Sequence, residues 1–212
     1  MTAPPPRHIP TVGYAPATSR NGQPYPCHLD ILDAEELFHV SLSAMQNGRD
    51  GEALEALKRL LALQPGHLQA QHLLGAQYAQ LGMFARAEAI WRALLVAAPE
   101  FDAARFQLGR LVMLGGDAGA VQAVLAPLID RTDDLGWYAQ AVVAASRNEP
   151  GGVEQALAKG LACEQSNPGV TGDMRQWLQR LREQGGQPAA PVPNAPPAPE
   201  AASMLLSGYG RH

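Results

Sequence analysis

The chain has 212 residues, 46% of them hydrophobic, with 16 Lys and Arg against 20 Asp and Glu for a net charge of -4. That apolar content can build one domain with appendages, and the slightly acidic balance excludes the basic field that nucleic acid would require. No apolar run approaches the roughly 18 residues of a membrane span, so no membrane insertion is expected.

Residues 1–30 open on "MTAPPPRHIP", which lacks the apolar core of a secretory signal. Seven of the 18 prolines fall in this segment, six lie between 187 and 200, and five remain for the middle. Proline removes a helix donor and clashes with the preceding turn, so both flanks read as non-helical. Ile9, Val12, Tyr14 and Tyr25 leave the first flank open between disorder and a strand-like plug. Between the flanks, 31–184 is rich in the helix formers Ala, Leu, Gln and Glu and shows no β-branched alternation, so the domain is expected to be all-α. Cys27 falls in the first flank and Cys163 in a helix, which reads as two reduced thiols in a cytoplasm.

Within the helical span, Asp33 with Glu36 has the form of a capping box opening the first helix, and Asp50 is placed to cap the second. Sliding the chain by 34 residues superimposes Gly48, Gly82 and Gly116; Ser41, Gly75 and Gly109; Ala53, Ala87 and Val121; and Leu57, Trp91 and Leu125. Pro65 meets Pro99. A period of that length with small and large residues in register is the mark of a helix–turn–helix repeat. Repeats are expected at 34–67, 68–101 and 102–135, with Asp133 where the closing proline would stand. A fourth at about 137–169 needs a one-residue slip to place Gly151, Ala156 and Pro168. Gly75 and Ala87 let the two helices of one hairpin approach, Tyr78 and Trp91 fill the space between hairpins, and Gly82 ends a helix in the left-handed region. "TGDMRQWLQRLREQ", 171–184, carries Met174, Trp177, Leu178 and Leu181 on one stripe and reads as a capping helix for the last apolar face.

The stretch "LLGAQYAQLGMFARAEAIWRALLVAAP" resembles the tetratricopeptide repeat family. The resemblance implies a right-handed α-solenoid of three to four helix hairpins plus a C-terminal cap, with a concave groove lined by the first helix of each repeat. The groove positions carried over by it include Phe38, Leu42, Met45, His72, Phe106, Arg110, Met113 and Tyr138. Where some relatives grip a chaperone's terminal carboxylate, this chain has Phe38, Leu42, Leu73, Ala103 and Gln107, so a carboxylate clamp is not expected. An apolar strip of that kind marks a binding surface for an extended or helical apolar segment, or a surface covered by the chain's own tail or a second copy. In the last segment, 185–212, a Pro/Ala-rich linker ends in "SMLLSGYGRH", whose Met204, Leu205, Leu206 and Tyr209 form a candidate docking motif.

No helical His pair with a carboxylate, no phosphate-cradling glycine loop and no nucleophile constellation is present in the sequence, so neither an enzyme, a metal nor a cofactor is expected. The sequence therefore points to a bacterial-style cytoplasmic adaptor that binds a protein or peptide. Two alternatives stand beside it: a chaperone of the type III secretion kind that holds translocators, and a self-assembling scaffold (a homo-oligomer) whose flanks dock into neighbouring copies.

Overall fold

A computed structural model of the chain describes residues 28–183. The candidate docking motif Met204–Tyr209 and the apolar positions of the first flank lie outside them. The chain divides at Leu32/Asp33 into two units. The described part of the first is one 3-10 turn, His28–Ile31.

The second unit holds α1 (Ala34–Gln46), α2 (Asp50–Leu63), α3 (Leu68–Gln80), α4 (Phe84–Ala97), α5 (Asp102–Met113), α6 (Ala118–Ile129), α7 (Asp134–Ser146), α8 (Pro150–Ala162) and α9 (Pro168–Glu183). Strands are absent among the described residues, and the helices form four hairpins followed by one further helix: the all-α helical repeat the resemblance implies. Each helix packs on the next, and α5 also packs against α7, more extensively than against α3.

Local chemistry sets the boundaries. Asp33 caps α1 in a complete capping box, its Oδ1 accepting from the Glu36 N–H at 2.9 Å while Glu36 Oε2 accepts from the Asp33 N–H at 2.9 Å. Asp50 does not cap α2. Arg49 is the N-cap residue, and Asp50 Oδ1 instead accepts from Gln77 Nε2 of α3 at 2.8 Å. Between the helices of the first three hairpins, Gly48, Gly82 and Gly116 take φ of +66°, +71° and +75°, a left-handed conformation that glycine adopts without a Cβ clash.

The fourth hairpin departs from the expected register. Its turn residue is Asn148, at φ +58°, 32 rather than 34 residues after Gly116, and α7 starts at Asp134 rather than 137. Gly151, expected at the turn, lies inside α8. Asparagine is among the few non-glycine residues that visit this region, so a search for glycine passes over it. The slip arises in α6, which has 12 residues where α4 has 14. Helix α9 begins three residues before the expected 171. Asn167 Oδ1 accepts from the N–H groups of Gly169 and Val170 at 3.0 and 3.3 Å, and Pro168 takes the first helical position, where its missing donor costs nothing.

Trp91 fills a different space from the one expected. It packs within its own hairpin, fully buried over Gly75, and its Nε1 donates to the His72 carbonyl at 3.2 Å. A Cβ at Gly75 would lie 2.4 Å from that nitrogen. Leu125 meets Gly109 in the same way, at 2.4 Å. In the fourth hairpin the roles are exchanged: the large residue, Tyr138, sits on the first helix and the glycine, Gly160, on the second.

Candidate functional site

The odd-numbered helices carry the positions assigned to the groove. At the fifth residue of α1, α3, α5 and α7 stand Phe38, His72, Phe106 and Tyr138, and at the ninth Leu42, Ala76, Arg110 and Val142. Exposure along these rows falls sharply. Phe38 and Leu42 are half-buried, with Glu35, His39 and Gln46 exposed beside them. In α3 every residue from His72 to Ala79 is buried.

Five of the eight expected groove residues are therefore enclosed by the chain itself. Met45 and His72 are buried. The His72 ring lies 5.3 Å from that of Phe101 and 6.2 Å from that of Trp91, and burial lowers its pKa to about 4, so it is a neutral core imidazole rather than a ligand contact. Phe106 and Tyr138, 1% and 0% exposed, belong to the same apolar cluster as Val142, Leu157 and Met174. The Tyr138 hydroxyl donates to Gln165 Oε1 at 2.6 Å, which also accepts from Thr171 Oγ1 at 2.8 Å. Burial, with the nearby Asp134 charge, raises that hydroxyl to about 12. Met113 is half-buried against this cluster.

Arg110 is the least expected of the five. Its guanidinium crosses from α5 to α9 and donates to Asp173 Oδ2 at 3.3 Å, with both side chains almost wholly buried. It also donates to Gln107 Oε1 at 3.4 Å and lies 5.7 Å from the Phe106 ring centre. Burial lowers the Arg110 pKa while Asp173 opposes the shift. Burial raises the Asp173 carboxyl to about 6, again opposed by its partner. The ionic chemistry of this face is thus spent inside the fold, joining helices that belong to different repeats. Position in the repeat could not reveal this, because it names a face and says nothing of how closely successive helices stack.

A cleft of about 370 Å³ opens between α6 and α8, over α7. The Lys159 ammonium lies 4.3 Å from the Trp137 ring centre there, and Arg147, Asp130 and Glu149 give its walls both signs of charge. Among the described residues no group of three or more His, Cys, Asp or Glu could hold a metal ion, and no helix is long and apolar enough to cross a membrane.

Paired helices, left-handed glycine turns in the first three hairpins and a closing amphipathic helix make an all-α helical-repeat fold, the architecture that the resemblance to the tetratricopeptide repeat family implies. The comparisons with solved structures agree on the fold. The chain is similar to MamA 41-end from Desulfovibrio magneticus RS-1, with a TM-score of 0.53 and 17% identity over 72% of this chain and 85% of that one. It is also similar to the MamA RS-1 ArsTM double mutant, with a TM-score of 0.52 and 16% identity over 81% and 92%. Among curated proteins it is 34% identical over 92 residues to an FK506-binding protein-like protein of Homo sapiens, a match spanning 42% of this chain and 26% of that protein's length. No family model matches the chain.

Proposed function

We propose that this chain is a non-catalytic protein-binding adaptor, acting in the cytoplasm, whose partner lies along α1. Phe38 and Leu42 are its anchors and Glu35 and Gln46 its polar rim. The observation that carries the reading is the gradient of burial: the equivalent side chains of α5 and α7 are closed into the core, whereas Phe38 and Leu42 stay half-open. A half-exposed aromatic beside a branched aliphatic, ringed by polar groups, is the composition of an interface centre. The partner segment is apolar and short, because the open stretch is one helix wide.

The test compares capture by the full-length protein with capture by Phe38→Glu/Leu42→Glu. Helical content should be unchanged, and partner recovery should fall by at least tenfold. Undiminished recovery would remove the site from α1. Recovery of one apolar client that is insoluble without this chain would move the reading to a chaperone. Concentration-dependent mass without any partner would move it to a scaffold.

A further inference from the structure

The helix turns at one edge of the stack differ in polarity. In the first and fourth hairpins they read Asn47-Gly48-Arg49 and Arg147-Asn148-Glu149, as exposed turns ordinarily do. In the second and third they present Leu81, Met83 and Leu114, which are 42%, 41% and 40% exposed. These three apolar side chains sit on adjacent hairpins, bounded by polar turns on either side. Their combined exposed area is a few hundred Å² at most, well below the roughly 1,200 Å² that a stable protein interface needs. The patch therefore suits a short segment better than a second folded copy.

The chain's direction supplies the segment. Consecutive helices joined by connections of a few residues run antiparallel, so every odd-numbered helix ends at the edge where these turns lie. Helix α9 is odd-numbered, and its last residue, Glu183, brings the chain out at that edge. Successive odd helices stack at about 10 Å, which puts the third and second turns roughly 20 and 30 Å away. The 20 residues 184–203 precede Met204 and reach about 60 Å when extended at about 3.1 Å each. We infer that the C-terminal motif Met204-Leu205-Leu206-Tyr209 docks in cis on the apolar edge formed by Leu81, Met83 and Leu114. This holds whether or not a partner uses the α1 surface, and it assigns the motif an occupant role inside its own chain.

The experiment uses the full chain with Cys27→Ser and Cys163→Ser and a nitroxide attached at Leu206→Cys, leaving the edge itself unaltered. Methyl signals of Leu81, Met83 and Leu114 should be broadened several-fold more than those of Leu63 and Val96, exposed apolar residues near the ends of α2 and α4, at the opposite edge. Uniform broadening, or broadening centred on Leu63 and Val96, would overturn the assignment. So would an effect that appears only when spin-labelled chains without isotope are mixed with isotope-labelled chains without nitroxide, because the tail would then sit on a neighbour. As a second readout, Leu114→Cys/Leu206→Cys in the same background should oxidise to an intrachain disulfide at least fivefold faster than Asn148→Cys/Leu206→Cys, although Asn148 lies nearer to the end of α9. Equal rates would mean that the tail samples the edge without preference.

Discussion

Replacing Gly75 by alanine tests the packing of the second hairpin with a single methyl group. The added carbon would stand 2.4 Å from Trp91 Nε1 and 2.8 Å from Cδ1 and Cε2 of the same indole, distances no Cβ tolerates. Trp91 is fully buried, so the ring has no solvent to move into and must rotate or push α4 away from α3. Overpacking of this kind costs about 1–3 kcal/mol, and losing the indole's hydrogen bond to the His72 carbonyl adds about 1 kcal/mol. Alanine returns about 1 kcal/mol through its better helix propensity. The net cost is about 2 kcal/mol, which lowers the melting temperature of a chain this size by about 4–8 °C. Urea and thermal unfolding followed by circular dichroism measure it. In a Trp91→Ala background, where no large side chain faces position 75, the same Gly75→Ala change should be neutral or stabilising by up to about 1 kcal/mol. An unchanged or higher melting temperature for Gly75→Ala alone, or an equal penalty in both backgrounds, would refute the contact.

Phe106→Glu should unfold the C-terminal half, since it buries a charge in a site 1% exposed, whereas Phe38→Glu should retain the helical signal; circular dichroism separates them. Arg110→Met and Asp173→Leu should each cost about 3–5 kcal/mol by stranding a buried charge, and the double variant should cost less than either, a comparison made by urea unfolding. Because burial raises the Asp173 carboxyl to about 6, the folded chain keeps a proton that the unfolded chain releases near its ordinary value of about 4. This group's contribution to stability is therefore full below about 4 and lost as pH rises through about 6, so Asp173→Asn should flatten the fall in unfolding free energy between those values. Gly82→Ala should cost about 1–2 kcal/mol through its positive φ, while Asn148→Gly should be tolerated.

Much of the helical array was legible because its signals are local. The Asp33–Glu36 box and the glycines at 48, 82 and 116 act within one turn, and their chemistry does not depend on what packs nearby. The fourth hairpin was misread because the left-handed position is held by Asn148 and because a shortened α6 moves the register by two residues. The groove was harder still. Phe38 and Phe106 occupy the same place in their repeats, and one is half-open while the other is sealed. What separates them is the tighter stacking of α5 on α7 and the bond from Arg110 to Asp173, a partner 63 positions away. No periodicity carries information over that span.

That bond alters how the array can come apart. In a linear stack where each unit touches only its neighbours, the ends melt one unit at a time and the loss is graded. Arg110 and Asp173 tie the fifth helix to the ninth across an intervening hairpin, so α9 cannot leave without exposing a charge on α5, and α7–α8 cannot loosen without straining both. The last five helices should exchange their amide hydrogens in one concerted opening, while α1 and α2, outside the tie, open on their own at lower energy. An array of repeated hairpins is, in this half, no longer divisible into hairpins: removing or adding a single unit between α5 and α9 would break the link that unites them.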